Sequence, residues 1–163
     1  MINAMKENFE RMIALVTEVF DVRNDPDQIE VNEQQREKLF SLHPATMSER
    51  SNEDGPIAWI LMIPTTTSLM NQFIEGIISE KKLLDETNPG DKFSAIYLCS
   101  ASVLPEFRRQ GIGLELCLNA IRNIMETQPI TALFFWEFSE GGAGLAQALG
   151  EKLSLPVYKR VHT

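Results

Sequence analysis

Apolar side chains at Met5, Phe9, Met12, Ile13, Val16, Val19 and Phe20 recur at helical spacing, which predicts an amphipathic helix over about Met5–Phe20. Asn24-Asp25-Pro26-Asp27 breaks it, and Ile29 and Val31 suggest a short extended piece before a second helix over Asn32–Leu42. His43-Pro44 ends that helix, and the pattern then changes. Met47–Ser51 and Pro56–Ile63 read as two strands joined through Asn52-Glu53-Asp54-Gly55, whose Asp-Gly step supplies the positive φ of a tight hairpin. The second strand is apolar at every position from Ile57 to Ile63 and is expected to be central, with Pro64 stopping it.

Thr66 or Thr67 would cap a helix running to about Ile78, and Ser79 a short one to Leu84. Asn88-Pro89-Gly90-Asp91 is a turn, and Phe93–Val103 is a long strand. From Gly111 to Glu126 the spacing is helical again, with Leu114, Cys117, Leu118, Ile121 and Ile124 on one face and Glu115, Asn119, Arg122 and Glu126 on the other. After Gln128-Pro129 comes an apolar strand, Thr131–Phe138. Gly141-Gly142 opens a last helix with Leu145, Leu149 and Leu153 inward, and Pro156–Val161 is a short closing strand. A strand–helix–strand unit requires a parallel pair with a right-handed crossover, whereas the hairpin gives antiparallel neighbours. The expected class is α/β (α+β), a mixed sheet with helices on its faces. No repeat and no linker divides residues 1–163, so one domain is expected.

Length and charge narrow the function. The chain has 163 residues, 44% of them hydrophobic, enough for one core and far from a disordered composition. Fifteen basic against 23 acidic residues leave a net charge of -8, with no basic stripe to meet phosphates, so nucleic acid is not an expected partner. The acidic balance weakly favours a cationic or amine-bearing partner. Two cysteines, Cys99 and Cys117, sit in apolar runs and read as buried thiols rather than a disulfide framework. His43 and His162 lie at opposite ends of the chain, so no metal-ligand spacing exists. The first ten residues carry Lys6, Glu7 and Glu10 and do not read as a signal peptide. No apolar run approaches the ~20 residues of a membrane span, so no membrane contact and a cytoplasmic setting are expected.

The informative stretch is Ala101 to Leu114: an apolar strand ending at Pro105, then Arg108-Arg109-Gln110, then Gly111 and Gly113 opening a helix. Glycines let a ligand approach the backbone, and the first helical turn points unpaired N–H groups outward with about half a positive charge from the macrodipole. Two arginines add to that field, and the whole suits a phosphate or pyrophosphate. A Walker loop fails, because Leu114 follows Gly113 where Lys is required. The dinucleotide fingerprint is weak, with two glycines where it needs three.

Val103-x-Pro105-x-Phe107-Arg108-x-x-Gly111-x-Gly113, after a long strand and opening a helix, resembles the acetyl-CoA signature of the GNAT N-acetyltransferase superfamily. The order of elements along nearly the whole chain is similar as well. The resemblance implies a mixed, mostly antiparallel sheet flanked by helices, with a splayed central parallel strand pair and a helical insertion at about residues 65–86. It implies that acetyl-CoA is the cosubstrate, with Ala101, Ser102 and Val103 holding the pantetheine arm like an added strand. Arg108, Arg109, Gln110, Gly111, Ile112 and Gly113 would wrap the pyrophosphate, and the thioester would lie where Phe93–Val103 and Thr131–Phe138 part. Ser139 falls where the family often has an asparagine, and is counted among the cofactor-binding positions.

Acetyl transfer to an amine needs a neutral nucleophile, a polarised thioester carbonyl and a proton for the departing thiolate. The Val103 N–H is the polarising group the resemblance implies. Tyr97 takes the position of the family's strand glutamate, as proton shuttle or pocket wall. Glu137, near a strand end, is a candidate base or a plain strand-end carboxylate. The family's thiolate-protonating tyrosine falls on Ala146, which leaves the general acid to Ser139, Tyr158 or water. The expectation is therefore an enzyme that acetylates a primary amine of a small molecule or peptide in a ternary complex. The alternatives are a CoA-binding module without catalysis and an interaction domain that keeps only the fold. The family's frequent pairing of sheet edges leaves a homodimer open.

Overall fold

A computed structural model describes residues 2–23, 33–137 and 140–160. Among these residues five strands form one sheet in the order β1-β2-β3-β4-β5: β1 (Met47–Asn52), β2 (Gly55–Thr65), β3 (Ala95–Val103), β4 (Ala132–Trp136) and β5 (Val157–Arg160). β1–β2 and β2–β3 are antiparallel, β3–β4 and β4–β5 parallel. Among the described residues six α-helices cover the sheet: α1 (Ile2–Arg23), α2 (Glu33–Leu42), α3 (Thr67–Ile74), α4 (Glu80–Glu86), α5 (Ile112–Met125) and α6 (Glu140–Leu153). The class is thus the expected mixed α/β sheet. Ile29, Val31 and the Asn24–Asp27 break lie outside the described residues.

β2 is buried at every position but Trp59, because helices cover both of its faces. Ile57 packs under Met12 of α1, while Arg50, which pairs with Ala58, reaches Glu115 of α5 on the other side. Alternation along the strands then places α1, α3 and α4 on one face and α5 and α6 on the other.

Two expectations of pairing and burial are corrected. Pro64 does not stop β2 but lies inside it, opposite Ile96. Leu104 N–H donates to the Ile57 carbonyl, so odd-numbered residues of β2 turn their backbone groups toward β3 and even-numbered ones away from it. Pro64 therefore faces the side where β1, which begins opposite Leu61, no longer reaches, and its missing donor costs no ladder bond. Among the described side chains of α1, residues 7–18, the buried positions are Asn8 and Met12, while Phe9 is 50% and Ile13 46% exposed. A single helix laid across one strand buries only a narrow seam, and Phe9 sits at its margin, edge-on to Trp59 at 5.8 Å.

Helix starts follow their caps. Thr66 accepts the Leu69 N–H at 3.3 Å, and Ser79 accepts the Lys82 N–H at 3.0 Å. α3 ends at Ile74 rather than near Ile78, and Gly76 follows at φ 79°, a left-handed residue beyond a helix C-terminus. His43 closes α2 through its N–H to Leu39 O, and its Nδ1 accepts the Ala45 N–H at 3.0 Å.

Candidate functional site

β3 and β4 pair only over Ala95–Tyr97 and Ala132–Phe134, and then part. The cause is visible on the other side of β3. Leu61 pairs with Ser100 and Met62 with Leu98, so Cys99 is an extra residue, a β-bulge. A bulge bends its strand and increases the local twist, which swings the C-terminal half of β3 away from β4. Between them opens a cavity of about 190 Å³. Its walls include Leu98 and Ser100 of β3, Cys117 of α5, Trp136 of β4, and Gly142 and Ala146 of α6.

The parting leaves one edge of β3 without a strand partner. By the same alternation that orients β2, Ala101 and Val103 turn their N–H and C=O groups toward this open edge, while Ser102 faces β2. Ala101 is exposed in mid-strand and Ser102 is 7% exposed. The open edge leads directly to the loop at Pro105. There a short 3₁₀ turn, Pro105–Phe107, delivers Arg108, Arg109 and Gln110 to the surface. Arg108 folds back so that Nε donates to the Val103 carbonyl at 2.9 Å. Arg109 takes φ 65° and Gly111 φ 76°. These two left-handed residues flank Gln110 and turn the chain sharply into α5.

Gly111 is the N-cap of α5 and provides no side-chain cap. The first intrahelical bond is Glu115 N–H to Gly111 O, at 2.9 Å. A Cβ placed on Gly111 would meet nothing within 4 Å, so the entrance is open. A Cβ on Gly113 would stand 3.6 Å from Val103 Cγ2, in ordinary contact with β3. Ile112 and Gly113 are half-buried where the helix meets that strand. Glu106, the acid nearest the two loop arginines, is occupied elsewhere. Arg11 of α1 grips both its carboxylate oxygens, at 2.6 and 2.9 Å, and holds that carboxyl below its ordinary value.

The two candidate catalytic side chains lie apart from the cavity walls. Tyr97 is the last β3 residue paired with β4 and is fully buried among Phe73 and Phe134. Its hydroxyl donates to Glu80 Oε2 at 2.6 Å, and Glu80 is itself fully buried at the start of α4. Glu137 pairs with Lys159 at 3.2 Å and belongs to a second, more open groove along α6 with Gln147 and Glu151. Ala146 is 2% exposed and does line the cavity, so the position that carries the family's tyrosine faces the right space without the hydroxyl. Tyr158 is 46% exposed on the edge strand. Ser139 lies outside the described residues.

The hydroxyl that lines the cavity among the described residues belongs to Ser100, which sequence reasoning missed. No spacing marks it, because it reaches the cavity only through the bulge one residue before it. Cys117 also lines the space, and burial pushes its thiol up to about 12, so it is no nucleophile at neutral pH. Among the described residues, no helix is long and apolar enough to cross a membrane. The fold and site together define a mixed α/β protein whose sheet splits beside a glycine-capped, arginine-flanked helix entrance. Compared with known proteins, the chain matches no family model and no curated protein.

Proposed function

We propose that the chain is a GNAT-like N-acetyltransferase of the cytoplasm that moves an acetyl group from acetyl-CoA to a primary amine. One observation carries the reading: the open edge of β3 runs from the cavity where β3 and β4 part straight to the uncapped entrance of α5. An extended pantetheine arm matches such an edge, because Ala101 and Val103 offer it strand-like hydrogen bonds. The pyrophosphate then falls at Arg108–Gly113, where the first α5 N–H groups and two arginines favour an anion. Gly111 leaves its room unfilled by any side chain.

In this reading the thioester lies in the cavity and its carbonyl oxygen accepts the N–H of Ala101, the open-edge residue among the cavity walls, while Val103 lies at the loop end of the edge. The neutral amine nitrogen attacks the carbonyl carbon, the C–S bond breaks with its electron pair leaving on sulfur as CoA thiolate, and the proton lost from the nitrogen passes to water, which returns one to the thiolate. Ser100 supplies a hydrogen bond to that sulfur. Tyr97 acts as a positioning residue that fixes the apex of the split through Glu80, and Glu137, paired with Lys159 in the groove along α6, takes no part in the transfer.

Two measurements test the function. Titration calorimetry with acetyl-CoA should show one saturable site, and CoA release should follow addition of an amine from a broad panel. Binding without release for every amine would leave a CoA-binding module; no binding would end the reading.

A further inference from the structure

The α3 side of the split sheet carries a cation that no described residue neutralises. Arg160 ends β5, and its guanidinium carbon lies 4.2 Å from the Trp136 ring centroid and 4.7 Å from that of Phe73. Nη1 donates to the Ile78 carbonyl at 2.8 Å, which holds the group in place, while Nε is buried with no hydrogen-bond partner. Among the described residues no carboxylate lies within ion-pair distance. Glu137, adjoining its strand partner Trp136, is taken by Lys159, and Glu80, two residues past Ile78, accepts the Tyr97 hydroxyl. A partly desolvated guanidinium clamped by two rings presents a fixed fork of donors, which matches a carboxylate. Its position matters as much as its chemistry, because Trp136, the ring beneath it, is also a wall of the cavity.

We propose that Arg160 receives the carboxylate of the acyl acceptor, which makes the acceptor an amine of the amino-acid type rather than a polyamine. This rests on the acetyl-transfer reading of the cavity. In a chain with a net charge of -8, one fixed cation beside the cavity selects for position as well as charge. An acceptor seated there is held by its carboxylate while its amine points along Trp136 toward the thioester.

The test uses the chain's own reporter. It has two tryptophans, so Trp59→Phe leaves Trp136 as the sole indole, in contact with the guanidinium. Titrating this protein with free L-amino acids should change the Trp136 emission saturably. The corresponding C-terminal amides should bind roughly tenfold more weakly or worse, because they lose a charge-assisted bidentate contact. Arg160→Gln should abolish the preference for acids, and Arg160→Lys, which keeps the charge without the fork, should reduce it. CoA release from acetyl-CoA should follow the same order. Equal response to acids and amides, no response to acids, or a preference that survives Arg160→Gln would overturn the proposal. The acid–amide comparison in the Trp59→Phe protein stands even if an Arg160 variant fails to fold. Should acids titrate Trp136 while acetyl-CoA neither binds nor turns over, the carboxylate site is upheld and the acetyl-transfer reading alone falls.

Discussion

Gly111 serves the fold and the proposed site for different reasons, and substitution separates them. Its φ of 76° is strained for any L side chain by about 1 kcal/mol, yet its missing Cβ faces open space. Gly111→Val should therefore leave a folded protein and weaken acetyl-CoA binding by a few kcal/mol, through exclusion of the pyrophosphate. Calorimetric affinity within error of the parent would remove the loop from the site. Tyr97 poses the opposite case. Its hydroxyl holds buried Glu80, so Tyr97→Phe should cost about 1–3 kcal/mol of stability by denaturant unfolding, with acetyl-CoA affinity kept. Ser100→Ala should lower kcat with little change in acetyl-CoA binding, since its hydroxyl acts only on the leaving sulfur. Cys117, with its thiol pushed up to about 12, should resist alkylation at pH 8 in the native protein and react on unfolding.

The proposed cavity depends on elements that are held firmly at one end and open at the other. α6 is pressed onto β5 at Gly150, where a Cβ would come within 2.3 Å of Val157 Cγ2 and 3.0 Å of the Leu155 carbonyl oxygen. Gly150→Ala should destabilise by about 1–3 kcal/mol, read as a lower denaturant midpoint, because the helix cannot shift without moving a cavity wall. At its other end α6 begins with glycines that line the same space, so the helix is fixed behind the cavity and side-chain-poor in front of it. The α3–α4 pair is set by two hydroxyl caps, and Ser79→Ala should cost ~1 kcal/mol. That loss should also loosen Glu80 and with it the Tyr97 contact. α1 reaches the Pro105 loop through Arg11 and Glu106, both well exposed, so this pairing orients the loop more than it stabilises the fold.

Over the whole molecule, acid stability should fall in two stages. Burial lowers the His43 imidazole below its ordinary 6.5, against the attraction of Glu126, and its Nδ1 must stay unprotonated to cap the turn at Ala45. A group depressed on folding contributes stability that is present above its unfolded value and lost as pH falls through the folded one, here below about pH 6.5. Glu106, also depressed, adds only a minor second stage below about pH 4.5, because its pair with Arg11 is exposed. Cys117 acts at the other end: raised on folding, it favours the native state fully below pH 9.0 and loses that contribution as pH climbs toward 12. Unfolding curves across pH should show the His43 stage vanish in His43→Asn, which keeps an acceptor near Ala45. Much of this molecule was readable from local pattern alone. The apolar run Ile57–Ile63 determined a central strand, Thr66 and Ser79 determined helix starts, and Gly111 after Arg108 determined an open helix entrance, because each depends on residues close in sequence. Tertiary structure alone decided the rest. Whether Pro64 ends a strand depends on where β1 stops, which face of α1 is buried depends on the width of the strand beneath it, and Ser100 enters the cavity only because Cys99 bulges against β2. Arg160 becomes a binding group only when Phe73, from far along the chain, closes over it with Trp136. Such partners are separated by tens of residues, and only packing brings them within reach of one another.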